Sequence, residues 1–97
     1  MPKLFPLFAQ EQESLLLQDI DVSQVAKLVV YNDNHNSFEW VIECFVAICQ
    51  HSSSQAEQLS YIIHFNGKAT VKSADADTLR PYKDALQERG LSAVIER

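Results

Sequence analysis

The chain has 97 residues, eight of them Lys or Arg and thirteen Asp or Glu, for a formal net charge of −5 at pH 7. That length accommodates one domain. An acidic balance without a basic stripe disfavours a phosphate-tracking nucleic-acid binder and attachment to an anionic membrane, and hydrophobic residues at 46% mark a core-forming chain.

Residues 1–25 read as an N-terminal extension. Pro2 and Pro6 interrupt any early helix, and Glu11, Glu13, Asp19 and Asp21 outnumber Lys3. The apolar residues here, Leu4, Phe5, Leu7, Phe8 and Leu15 among them, keep no period. A flexible arm is therefore expected ahead of a folded domain over residues 26–97. No basic run leads into an apolar segment, and no apolar run nears 18 residues, so a cytoplasmic protein is expected rather than a secreted or membrane-spanning one.

The first structured element is a strand, Lys27-Leu28-Val29-Val30-Tyr31, closed by the polar turn Asn32-Asp33-Asn34-His35-Asn36. Asn36, with Glu39 three residues on, has the pattern of a capping box. The helix it would open sets Phe38, Val41, Ile42, Phe45, Val46 and Cys49 on one face. Ser54 and Glu57 repeat the capping pattern for a second helix, with Ala56, Leu59, Ile62 and Ile63 inward and a stop at Asn66-Gly67. Lys68 to Ser73 alternates as a strand. A third helix is expected over Asp75 to Arg89, with Leu79, Tyr82, Ala85 and Leu86 on one face, Gly90 as its stop, and Pro81 near the end of its first turn or kinking it. Ser92-Ala93-Val94-Ile95-Glu96 is a final strand. The order β-α-α-β-α-β, with three strands and the helices gathered on one face, gives an α+β sandwich.

Chemistry is sparse. Gly67 and Gly90 stand alone, so no phosphate-cradling loop exists. Cys44 and Cys49 lie about 140° apart around a helix, which suits neither a disulfide nor a metal pair, and they read as buried reduced thiols. No nucleophile, base and oxyanion hole come together, so neither a catalytic site nor a cofactor or metal site is expected. The informative residues are His64, which closes the second helix, and the acceptor-rich turn Asn32-Asp33-Asn34. Were they to meet in space, carboxylate, amide oxygen and neutral imidazole would suit a cationic donor such as an ammonium group. Apolar neighbours such as Phe38, Val41 and Ile63 could line a pocket beside it.

Several segments in this order, Tyr31-Asn32-Asp33, Phe38-Glu39-Trp40-Val41-Ile42, Ala56-Glu57-Gln58 and Ile63-His64-Phe65-Asn66-Gly67-Lys68-Ala69, resemble the ClpS family of adaptors for the Clp AAA+ protease, over about residues 26–97. The third helix, with Arg80-Pro81 inside it and Arg89-Gly90-Leu91-Ser92-Ala93 at its end, is similar to the variant of Bacteroidetes-like bacteria. The resemblance implies a three-stranded antiparallel sheet with three helices, similar to the C-terminal domain of the ribosomal stalk protein. It implies recognition of N-degrons, proteins whose free first residue is Leu, Phe, Tyr or Trp, and their delivery to a Clp unfoldase of the ClpA or ClpC type. Carried over by position, Asn32, Asp33 and His64 would hold the α-amino group. Tyr31, Asn34, Asn36, Phe38, Val41, Ser60, Ile63 and Leu91 would form the side-chain pocket, and Asp75 and Arg80 would touch the unfoldase.

Burying a Leu or Phe side chain contributes about 1.5–3 kcal/mol, and each charged hydrogen bond about 1.5–3 kcal/mol. Only the sum approaches the roughly 8 kcal/mol of micromolar binding, so both a free amine and a bulky side chain are needed. The chain departs from the family pattern at three points. Asn34 stands for the second Asp of the turn, Phe38 for the gating Met, and Ser60 for another pocket Met; large aromatic first residues are expected to be favoured. The alternative is a ClpS-like regulatory protein that binds a Clp unfoldase without taking N-degrons. One small domain with a single pocket needs no second copy, so a monomer is expected.

Overall fold

The computed structural model describes residues 24–97. The extension read over residues 1–25 lies outside the described residues except at its end, where Val25 already belongs to the first strand. The elements are β1 (Val25–Tyr31), α1 (Phe38–Cys49), α2 (Ser53–Asn66), β2 (Lys68–Asp75), α3 (Ala76–Glu88) and β3 (Ser92–Glu96). The expected β-α-α-β-α-β order holds. β1 is the central strand, paired antiparallel with β2 on one side and β3 on the other.

Strand alternation decides the two faces of the sheet. Ala26, Leu28 and Val30 are at most 2% exposed and meet the helices. Against them stand Cys44, Phe45 and Cys49 of α1, Ala56 and Ile63 of α2, Leu79 and Leu86 of α3, and Leu91 and Ala93 at β3. The inward stripes differ in detail from the periodic pattern. Val46 and Ile62 are 39% exposed, whereas Cys44 and Ser60 are buried. α1 packs on α2 and also on α3, and two neighbours rotate its buried sector toward Cys44. Both thiols are free, and burial pushes them up, Cys49 to about 11. They are protonated at neutral pH and poor nucleophiles.

The helix ends are closed one or two residues away from the expected caps. Ser37, not Asn36, caps α1 by accepting from the Trp40 N–H, and Ser52, not Ser54, caps α2 by accepting from the Gln55 N–H. Asp75 caps α3 rather than belonging to it. Pro81 sits one turn deeper than the first turn, so α3 forgoes one internal bond there. α3 ends in a Schellman arrangement. The Leu91 N–H donates to Leu86 and the Gly90 N–H to Gln87, with Gly90 at φ +91° and Leu91 driven into the core. The Arg89 and Gly90 carbonyls, which no helical N–H can reach, accept from the Trp40 indole at 3.0 Å and the Asn36 amide at 2.9 Å.

A bulge falls where β1 register jumps between Leu28 and Val29, leaving Val71 of β2 without a cross-strand partner. Its carbonyl instead meets His51 Nε2 at 3.0 Å, in the turn between α1 and α2. Among the described residues His51 Nδ1 is buried without a partner, and the ring sits edge-on to Phe45. Nε2 must then carry the proton as donor, and a second proton on Nδ1 would have no acceptor. Burial is the main cause that lowers the His51 pKa, with nearby Lys72 adding to it against the favourable Val71 contact. The unfolded chain therefore binds the proton more readily, so stability falls as pH drops below the ordinary imidazole value of about 6.5. Urea midpoints should decline from pH 7 to pH 5, above the carboxylate range. In His51→Gln, which keeps a donor but does not titrate, that decline should shrink; an unchanged slope would show that His51 does not cause it.

Candidate functional site

The turn between β1 and α1 is organised by one carboxylate. Asp33 Oδ1 accepts from the His35 N–H at 2.9 Å, the Asn36 N–H at 3.0 Å and the Asn36 side-chain amide at 3.0 Å. Oδ2 accepts from the same amide at 2.9 Å and from the Ser92 hydroxyl at 3.3 Å. Asn36 in turn donates to the Gly90 carbonyl. Burial opposes ionisation of Asp33, but the bonds from His35, Asn36 and Ser92 outweigh it and hold the carboxyl below its ordinary value. Asp33 is an anion at neutral pH.

On its other side the turn is tied to the end of α2. The Asn32 N–H donates to the Gly67 carbonyl at 2.8 Å. Gly67 has φ +92° and caps α2 by donating to Ile63; that backbone favours glycine and brings the chain back toward β1. His64, in the last turn of α2, is thereby set beside Asn32 and Asp33.

These elements enclose a cleft of about 430 Å³. Asn32, Asp33, Asn34, Asn36 and His64 form its polar part. Phe38, Val41, Ser60 and Ile63 form its apolar part, with Tyr61 and Phe65 completing the wall. The three expected amino-binding residues thus stand in one cleft with six of the eight expected pocket residues.

Two expected pocket residues lie elsewhere. Tyr31 does not line the cleft. It sits on the sheet face away from the helices, its phenol donating to Glu96 and its ring under the Lys68 ammonium at 5.5 Å. Leu91 is 4% exposed and belongs to the core. Conversely, Tyr61 and Phe65 were not foreseen. The Phe38 and Tyr61 rings are 4.7 Å apart, Tyr61 stacks on Phe65 at 6.2 Å, and Phe65 meets His64 edge-on at 5.0 Å. The available signal was their i, i+4 spacing one turn before and beside His64, which an inward-stripe reading passes over. Phe65 is 75% exposed.

Asp75 and Arg80 also come together, with Gln24, Asp77 and Arg97, around a second hollow at the start of α3. Each has a local task. Asp75 accepts from the Thr78 hydroxyl and N–H, and Arg80 pairs with Asp77 at 2.9 Å while 58% exposed. Among the described residues no cluster of three or more His, Cys, Asp or Glu could hold a metal ion, and no helix is long and apolar enough to cross a membrane.

Comparison with known proteins agrees with this fold. A similar fold occurs in the structure of Agrobacterium tumefaciens ClpS2 bound to L-phenylalaninamide, with a TM-score of 0.65 and 22% identity over 75% of this chain and 95% of that one. No curated protein matches the chain significantly. The family model for the ATP-dependent Clp protease adaptor protein ClpS matches residues 23–94, which spans every element from β1 into β3. The chain belongs to the ClpS family.

Proposed function

We propose that the protein is an N-degron adaptor. It binds the free α-amino group and first side chain of substrates beginning with Leu, Phe, Tyr or Trp, and delivers them to a Clp AAA+ unfoldase of the ClpA or ClpC type for degradation. The observation that carries this reading is the composition of a single cleft: acceptors Asn32, Asp33 and His64 at one part, apolar Phe38, Val41 and Ile63 at the other. A free amino acid end is the chemical group that offers an ammonium and an apolar side chain on the same carbon. The ligand in the ClpS2 structure, L-phenylalaninamide, is of that kind. Asp33 keeps its negative charge while bonded within the turn, so it draws an ammonium without giving up its contacts. The adaptor works as a monomer in the cytoplasm, without cofactor or catalytic step, and the residues ahead of β1 form the segment presented to the unfoldase.

The second reading, a regulatory partner of a Clp unfoldase that takes no N-degron, has one observation in its favour: Asp33 already accepts five hydrogen bonds inside the protein. Fluorescence anisotropy with a Phe-initiated peptide separates the two. The free peptide should bind, and acetylation of its amino group should abolish binding; equal behaviour of both forms supports the second reading. His64→Ala should weaken the free peptide by about tenfold or more, the value of one charged hydrogen bond.

The unfoldase contact is assigned to the exposed hollow around Asp75 and Arg80. Arg80→Glu should reduce co-purification with the Clp unfoldase while leaving peptide affinity unchanged. Arg80 is surface-exposed and, among the described residues, paired only with its helix neighbour Asp77, so the fold should tolerate the change. Undiminished co-purification would place the contact elsewhere.

A further inference from the structure

Ser60 is the buried polar side chain among the described core residues, only 3% exposed. It lies on the inward face of α2 and lines the cleft beside Phe38, Val41 and Ile63. Its hydroxyl donates to the Ala56 carbonyl one turn back, at 2.8 Å. Such back-bonding is ordinary for a helical serine. Its consequence at this position is not, because a serine hydroxyl has one proton and two acceptor lone pairs. With the proton committed to Ala56, the oxygen can only accept.

The apolar part of the cleft therefore contains a lone acceptor with no donor among the apolar side chains around it. A phenyl or isobutyl group entering there offers that oxygen no donor and leaves it unsatisfied. A side chain that ends in a donor satisfies it. Of the bulky N-terminal residues, Tyr carries an O–H and Trp an indole N–H, whereas Phe and Leu carry neither. We propose that Ser60 is a specificity-determining residue that makes the cleft select N-terminal Trp and Tyr over Phe and Leu. This rests on the N-degron reading and adds to it a chemical criterion, a hydrogen-bond donor on the first side chain, beyond size and apolarity.

Competition binding of amino-acid amides to the full chain tests it. The informative pairs are Trp against its isostere 3-benzothienylalanine, which keeps the ring shape and lacks the N–H, and Tyr against Phe. The native protein should prefer the donor in each pair by roughly three- to tenfold, the worth of one net hydrogen bond. Ser60→Ala removes the acceptor and places a better helix former at the same site, so it should fold. In that variant both ratios should fall to about one, with Phe binding no weaker than before. Equal affinities within each pair in the native protein, or ratios that survive in Ser60→Ala, would overturn the proposal while leaving amino-group recognition intact. If none of the four amides binds the native protein, amino-group recognition itself fails, and this proposal with it.

Discussion

The carboxylate of Asp33 is the contact on which the cleft depends. It gathers two backbone N–H groups and an amide from its own turn, and it reaches a hydroxyl on the last strand. Through Asn36 it also fixes the turn that ends α3. The bond from Asn32 to Gly67 then holds the opposite side to the end of α2. The acceptors of the cleft are thus set by three elements before any ligand arrives, and little ordering remains to oppose binding. The same carboxylate supplies charge and framework, so the two uses are inseparable in this protein.

Much of this was legible in the sequence. Strand and helix order followed from the β-branched and aromatic run at Lys27–Tyr31, the alternation of Lys68 to Ser73, the apolar periodicity of the helices, and the glycines at 67 and 90. His64 and the Asn32-Asp33-Asn34 turn stood out because acceptors of different kinds clustered near an element end. What escaped were matters settled between distant parts of the chain. Asn36 and Ser37 are equally good local caps, but the Asn36 amide is held by donating to Asp33 and to the distant Gly90 carbonyl, and Ser37 accepts the helix N–H. Alternation says that Tyr31 and Val30 face opposite ways, but only the register of β1 with its neighbours says which way is inward. The bulge at Val71 and its use of His51 have no local signal at all.

The departures from the family pattern gain physical content in the same way. Phe38 does not simply replace one apolar wall with another. Its ring engages Tyr61, which engages Phe65, so the wall becomes a row of aromatic rings anchored on two helices. Rings have few rotamers and hold their shape, which narrows what the cleft admits. Ser60, on the same helix as Tyr61 and Phe65, adds a short side chain with a fixed polar atom to the cleft. A site with one rigid wall and one oriented acceptor discriminates by geometry and chemistry rather than by adaptability.

The central place of β1 also governs when the domain can come into being. β1 emerges first among the described strands, yet its partner β3 is the last, and Asp33 meets Ser92 across 59 positions of chain. Pairings of such separation close late, after the entropy of a long loop has been overcome. A nascent chain extended only through α3 has neither the second neighbour of β1 nor the hydroxyl that braces the turn. The braced turn therefore forms only once β3 has been made and has paired with β1, so the cleft is completed by the same long-range closure that completes the sheet.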